Sequence, residues 1–244
     1  MSGIIVAQII CTYCVVVGMH DARTCLFMGA WIHQCIVACS IVDGKLPKSE
    51  DGIEMVFATN HVGHHLLYNL LEPALKSSPM ARVVLTSSAD NFEVPYYGVA
   101  TDLTTLNSME TLDGFAFMHP YGQSKLAQIL FAQELTRRLP ADSNIYVNAL
   151  HPGAVDTEIW SKLLIPFPVD WLVKQVQKGF MWTGEDGSLT MLYLGIATEE
   201  IKTQNIRGKY FHPQAVPVRP NDIASDPALG EAVWEFTEGF FVSA

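Results

Sequence analysis

The sequence predicts an α/β fold, a parallel sheet covered by helices, and three observations predict it. From Lys45 onward short β-branched runs such as ARVVLTSS (81–88) alternate with longer stretches of helical spacing such as YGQSKLAQILFAQELTRRL (121–139). The short runs are apolar nearly throughout, as strands buried on both faces are. The 244 residues are 49% hydrophobic, enough to fill the core of one large α/β domain and to exclude a disordered chain.

Each element follows in order. SEDGIEMVFATNHVGHHLLYNLLEPAL (49–75) sets apolar residues at helical spacing, with Ser49 as candidate N-cap and Pro73 near its end, and predicts a helix. ARVVLTSS ends in two hydroxyls, as expected of a buried parallel strand whose C-terminal end opens onto a site. Residues 91–118 read as a long loop, 121–139 as an amphipathic helix, and NIYVNALHPG (144–153) as a strand and turn. GEDGSLTMLYLGIA (184–197) predicts another helix and GKYFHP (208–213) a last short strand. The chain holds no internal repeat and no low-complexity tract.

Charge divides the chain in two. The formal net charge is -10 and the pI about 5.2, which removes the clustered Lys and Arg that a nucleic-acid partner needs. Arg137 and Arg138 read as a solvated helix end. Of the 15 Lys and Arg and 25 Asp and Glu, residues 1–42 hold only Asp21 and Arg23. All five cysteines, Cys11, Cys14, Cys25, Cys35 and Cys39, lie in the same stretch. Their odd count does not fit a secreted disulfide framework, so a reducing, cytoplasmic compartment is expected. Cys11 and Cys14 have C-x-x-C spacing but no second pair follows, so they read as small buried side chains rather than a metal site. The uncharged run CLFMGAWIHQCIVACSIV (25–42) approaches the lower limit of a membrane span, and His33, Gln34 and Ser40 weaken that alternative. Residues 1–43 therefore stand apart as an atypical hydrophobic, cysteine-rich segment ahead of a domain over 44–244.

Tyr121 and Lys125 carry the chemistry. Four apart on a helix, they share one face, with Cβ atoms about 5 to 6 Å apart. An ammonium beside a phenol favours the phenolate and makes the tyrosine usable as a general acid or base. The pair alone also fits an ordinary solvated helix face, and its neighbours decide between the two.

Those neighbours are four motifs. TNHVGHHLL, RVVLTSSA, YGQSKLAQILFAQELTRRL and NALHPGAVDTEI occur in an order and spacing that resemble the short-chain dehydrogenase/reductase family, in particular its retinol-dehydrogenase-like branch. The likeness covers about residues 45–244. It implies a Rossmann-like three-layer parallel sheet and a catalytic set of Asn60, Ser88, Tyr121 and Lys125. Tyr121 would pass the proton, Ser88 would hydrogen-bond the substrate oxygen, and Lys125 would lower the tyrosine pKa and hold the nicotinamide ribose. Asn60 would keep a helix kink and a water leading to solvent. With Tyr121 and Lys125, the P-G loop residues Pro152, Gly153, Val155 and Thr157 would hold the cofactor, NADP or NAD. His61, His64 and His65 are family packing positions by the same resemblance, and no metal is expected. Trp160, Trp171 and Trp182 would line or cover an apolar pocket for a small apolar alcohol or carbonyl. The helices carrying Asn60 and Tyr121 are those on which this family commonly forms a homodimer.

At the N-terminus the resemblance stops. The only glycines before Gly44 are Gly3, Gly18 and Gly29, too scattered for the family's tight phosphate turn. The N-terminal half of the fold is thus expected to be incomplete or replaced, two hydrophobic strands from residues 1–43 could still complete the sheet edge, and cofactor binding is expected to be weak. The function so predicted is an NAD(P)-dependent oxidoreductase interconverting an alcohol and a carbonyl. The alternative is an inactive remnant acting as a binding or dimerising module, and a sugar-nucleotide epimerase shares the Y-x-x-x-K spacing but needs the same glycine turn.

Overall fold

The β-branched run at residues 81–86 and the apolar run at 145–150 form the two central strands, as strands flanked on both sides by covering layers should. The computed structural model describes residues 14–17, 26–27, 47–108, 118–155 and 181–242. Strands β3 (Ala81–Thr86) and β4 (Ile145–Leu150) run parallel, from Ala81 opposite Ile145 to Thr86 opposite Leu150. Strand β5 (Tyr210–His212) joins β4 in parallel.

The sheet is parallel at its centre and antiparallel at its edges. Strand β6 (Val216–Val218) pairs antiparallel with β5, β1 (Cys14–Val17) antiparallel with β3, and β2 (Leu26–Phe27) antiparallel with β1, in the order β2-β1-β3-β4-β5-β6. Connection length explains two of these pairings. Residues 213–215 and 18–25 are shorter than the dozen or so residues a parallel crossover takes.

Alternation along β4 sorts the core into two layers. Ile145, Val147 and Ala149 face one cluster with Leu126, Leu130 and Phe131. Tyr146 and Leu150 face the other, with Leu194, Ile201 and Phe211. The chain is therefore an α/β fold with helices on both faces of the sheet. On the first face lie α2 (Gly63–Ser77) and α4 (His119–Arg138). On the second lie α5 (Gly184–Ile196) and α6 (Thr198–Thr203).

Three local predictions need correction. Ser49 does not cap the first helix; it closes a turn in which Gly52 has φ of +76° and Ser49 Oγ accepts from Ile53 N at 3.2 Å. The helix begins later, at α1 (Met55–Phe57), because the buried Glu54 carboxylate accepts from Val56 N at 2.7 Å and Phe57 N at 2.8 Å. The stretch 91–118 is not all loop. Asp102 caps the short helix α3 (Leu103–Asn107), accepting from Thr105 N at 2.8 Å.

One helix escaped sequence reading altogether. Helix α7 (Pro227–Val242) starts where Asp226 Oδ1 accepts from Ala228 N at 2.9 Å, and Asp followed by Pro is a start signal. Its Trp234 stacks on Phe131 of α4, rings 6° from parallel with centroids 5.3 Å apart. The Arg138 guanidinium lies 4.8 Å over the same indole. Thus α7 packs on α4 and reaches His65 of α2. Among the described residues no helix is long and apolar enough to cross a membrane. The cysteine side chains lie outside the described residues.

Candidate active site

The C-terminal ends of β3, β4 and β5 converge, and the turn after β3 is the best defined of them. Ser87 N donates to Leu150 O at 2.6 Å, and Ser87 Oγ donates to Lys125 O at 2.8 Å. One serine thereby joins two strands to α4. Ser88 caps a 3-10 turn (Ala89–Phe92), its Oγ accepting from Asp90 N at 3.2 Å and donating to Asp90 Oδ2 at 2.8 Å. The Ser88 carbonyl accepts from Asn91 Nδ2 at 2.6 Å and from the Tyr210 hydroxyl at 3.2 Å.

Helix α4 brings Tyr121 and Lys125 to this turn. Both are almost fully buried, at 4% and 2% exposure. A buried ammonium needs partners, and Lys125 Nζ donates to Thr86 O at 3.1 Å while lying 5.4 Å from the Tyr121 ring centroid. Burial, and then the nearby Lys125 charge, hold His64 well below the usual imidazole range. Gly122 makes the close approach of α4 and the turn possible. A Cβ there would lie 2.0 Å from Glu93 O and 2.6 Å from Asp90 O.

Asn60 stands in a π-turn (Ala58–Val62) between α1 and α2, which supplies the expected kink. Its Nδ2 donates to Ser124 Oγ at 3.0 Å, and Ser124 Oγ donates to Tyr121 O at 2.7 Å. Its carbonyl accepts from the Gln128 amide, which also meets His64 Nδ1 at 2.6 Å. Asn60 is thus tied to the Tyr121 helix at both ends. The other two histidines have separate partners, His61 Nε2 at 3.1 Å from Thr237 Oγ1 and His65 Nε2 at 2.7 Å from Glu238 Oε1. Among the described residues no three His, Cys, Asp or Glu side chains form a metal-holding group.

The P-G loop follows β4. His151 Nδ1 accepts from Gly153 N at 3.1 Å, and burial, then His212, lower the His151 pKa to about 4. Its imidazole is neutral near pH 7, with the proton on Nε2. Gly153 has φ of +90°, and a Cβ on it would lie 2.5 Å from Trp182 Cδ1 and 3.1 Å from Pro213 Cγ. Pro152 precedes that turn, and Val155 bridges to Trp182 and packs on Gly187. Trp182 therefore covers the P-G turn. Thr157, Trp160 and Trp171 lie outside the described residues.

Asn60, Tyr121 and Lys125 are thus joined directly through α4, and Ser88 reaches them through the turn packed on Gly122. Sequence reasoning missed Ser87, Gly122, Ser124, Gln128 and Asp90. Gly122, Ser124 and Gln128 had a visible signal, since they flank or follow Tyr121 and Lys125 within two turns of the same helix.

Residues 98–164 match the family model described as short chain dehydrogenase. The chain is 38% identical over 192 residues to human retinol dehydrogenase 14, covering 78% of this chain and 53% of that protein. It is 30% identical over 191 residues to short-chain dehydrogenase TIC 32 A, chloroplastic, of Brassica napus, covering 78% and 57%. A solved short chain dehydrogenase from Salmonella enterica serovar Typhi is 22% identical, with a TM-score of 0.44 over 65% of this chain and 51% of that one. The chain thus spans about half the length of the curated relatives it matches. On these sequence likenesses it is similar to the short-chain dehydrogenase/reductase family, on its retinol-dehydrogenase-like side.

Proposed function

We propose that the chain is an oxidoreductase that interconverts an apolar alcohol and its carbonyl with NADP or NAD. The observation that carries this reading is the buried Tyr121 and Lys125 pair on α4, with Lys125 Nζ held by Thr86 O at 3.1 Å beside the turn that bears Ser88. A phenol kept dry next to an ammonium is suited to proton transfer at neutral pH. In alcohol oxidation Tyr121 would take the hydroxyl proton as hydride leaves the carbinol carbon; in reduction it would return that proton to the alkoxide oxygen. The bound nicotinamide supplies the hydride acceptor or donor. By the family resemblance, Lys125 would hold the nicotinamide ribose and the P-G loop the nicotinamide ring. Relatives named retinol dehydrogenase 14 and polyprenol dehydrogenase point to a long apolar alcohol as first substrate class.

The test is retinal reduction with NADPH and retinol oxidation with NADP, each repeated with NADH or NAD. Turnover that Tyr121→Phe abolishes supports the reading, and no turnover in either direction with either cofactor overturns it. The second reading, a non-catalytic binding module, is favoured by the scatter of Gly3, Gly18 and Gly29. Retinoid binding without any turnover would support it.

A further inference from the structure

We propose that His151 is a positioning residue for the cofactor: its Nδ1 lone pair fixes the Gly153 peptide and so sets the P-G turn in the shape that meets the nicotinamide. This deepens the oxidoreductase reading and rests on it. Backbone hydrogen bonds pin the turn at both ends. His151 N donates to Phe211 O on β5 at 2.8 Å, and Trp182 N donates to Ala154 O at 2.8 Å. Between these pins stands Gly153 at φ of +90°, the residue type with the most conformational freedom to lose. Among the described residues its N–H has one acceptor, His151 Nδ1 at 3.1 Å.

A neutral imidazole has one nitrogen that accepts, and a charged one has none. The bond from Gly153 N therefore places the proton on Nε2 and requires a neutral ring. The surroundings of His151 keep it neutral. His212 on β5 faces it with ring centroids 5.1 Å apart. Burial, and then His212, oppose the charged form, and they outweigh Asp90 on the turn after β3, so the acceptor survives until the pH falls to about 4. On its other side Gly153 is closed in, since a Cβ there would fall 2.5 Å from Trp182 Cδ1 and 3.1 Å from Pro213 Cγ. A loop already held in its binding shape loses less entropy when a ligand arrives. Without the Nδ1 acceptor the Gly153 peptide is free to rotate, and binding has to order it again.

The experiment has two arms on the 244-residue chain. Long-range proton–nitrogen NMR spectra near neutral pH read the tautomer, with the His151 signal assigned by its absence from His151→Asn. A protonated Nε2 and a bare Nδ1 are expected, and a protonated Nδ1 overturns the proposal. Calorimetry then measures dissociation constants for NADPH at millimolar ligand. His151→Ala should weaken NADPH about 3- to 10-fold, as expected for one neutral hydrogen bond lost. His151→Leu, closer in volume, should do likewise and serves if the alanine variant does not fold. His151→Asn supplies an oxygen that reaches the N–H two residues on, and should stay within about 2-fold of the unmodified protein. A merely structural role would lower the melting temperature and leave the NADPH constant of the folded variants unchanged. That result, or an asparagine variant as weak as alanine, overturns the proposal while the oxidoreductase reading stands. Failure of the unmodified protein to bind NADPH overturns the cofactor reading and this proposal with it.

Discussion

Gly122 lies directly beneath Glu93: a methyl group on the glycine would fall 2.0 Å from the Glu93 carbonyl oxygen. That oxygen is backbone and cannot rotate away. Gly122→Ala should therefore push the turn after β3 off α4, destabilising the protein by about 1 to 3 kcal/mol, the usual range for overpacking. Urea unfolding measures the loss, and an alanine variant as stable as the parent would show that the turn yields freely.

Tyr121 is the group whose removal should stop proton transfer with least structural damage. Tyr121→Phe keeps the ring, which lies 5.4 Å from Lys125 Nζ, and deletes only the hydroxyl. Whatever alcohol or carbonyl turnover the chain shows should fall by about 10² to 10⁴-fold. Steady-state rates with unchanged thermal stability are the measurement; equal turnover would remove Tyr121 from the reaction.

Glu54 makes stability depend on pH. Burial raises its carboxyl from 4.5 to about 7, against the lowering effect of the Val56 and Phe57 N–H donors. The folded chain holds this proton more tightly than the unfolded chain, so its stabilising effect is complete below about pH 4.5 and lost as pH rises through about 7. Glu54→Gln carries no charge at any pH and should remove that slope, worth about 1 to 3 kcal/mol across the window. Denaturation midpoints at several pH values, compared between the two proteins, show whether the slope goes.

Cofactor affinity tests the N-terminal segment. By the family resemblance Lys125, Gly153 and Val155 would hold the nicotinamide end, whereas the glycines of residues 1–43 are the scattered Gly3, Gly18 and Gly29. Losing several charge-assisted hydrogen bonds, at roughly 1.5 to 3 kcal/mol each, weakens binding by about 10³-fold or more. Calorimetry on the 244-residue chain should give dissociation constants above about 100 μM for both NADPH and NADH by that arithmetic. A low-micromolar value for either would reveal a phosphate cradle of another kind.

Strands β3 and β4 were legible in the sequence as short, nearly continuous apolar runs, and helix α4 from its long helical spacing. The start of the first helix was not. Ser49 looks like an N-cap, but Gly52 at φ of +76° reverses the chain first, and the true cap is a glutamate whose burial no local pattern announces. The antiparallel sheet edges were hidden because pairing direction depends on the path of the connection, not on strand composition. Within the site, Tyr121 and Lys125 were legible from a fixed spacing on one helix. The Gln128 amide and the Asn60 carbonyl are 68 residues apart in the chain, so only tertiary structure joins them. Asp90 sits two residues from Ser88, yet its hydrogen bond depends on the 3-10 backbone that follows β3.

The position of α7 has a consequence for biosynthesis. Among the described residues, Phe131 and His65 receive a covering indole from Trp234, with ring centroids 5.3 and 4.3 Å away. A ribosome makes residues 227–242 after every described strand of the sheet, so the nascent chain carries Phe131 and His65 without that cover until α7 emerges. At about 5 to 20 residues per second the interval lasts seconds, ample time for a chaperone to hold these rings or for two nascent chains to join through them.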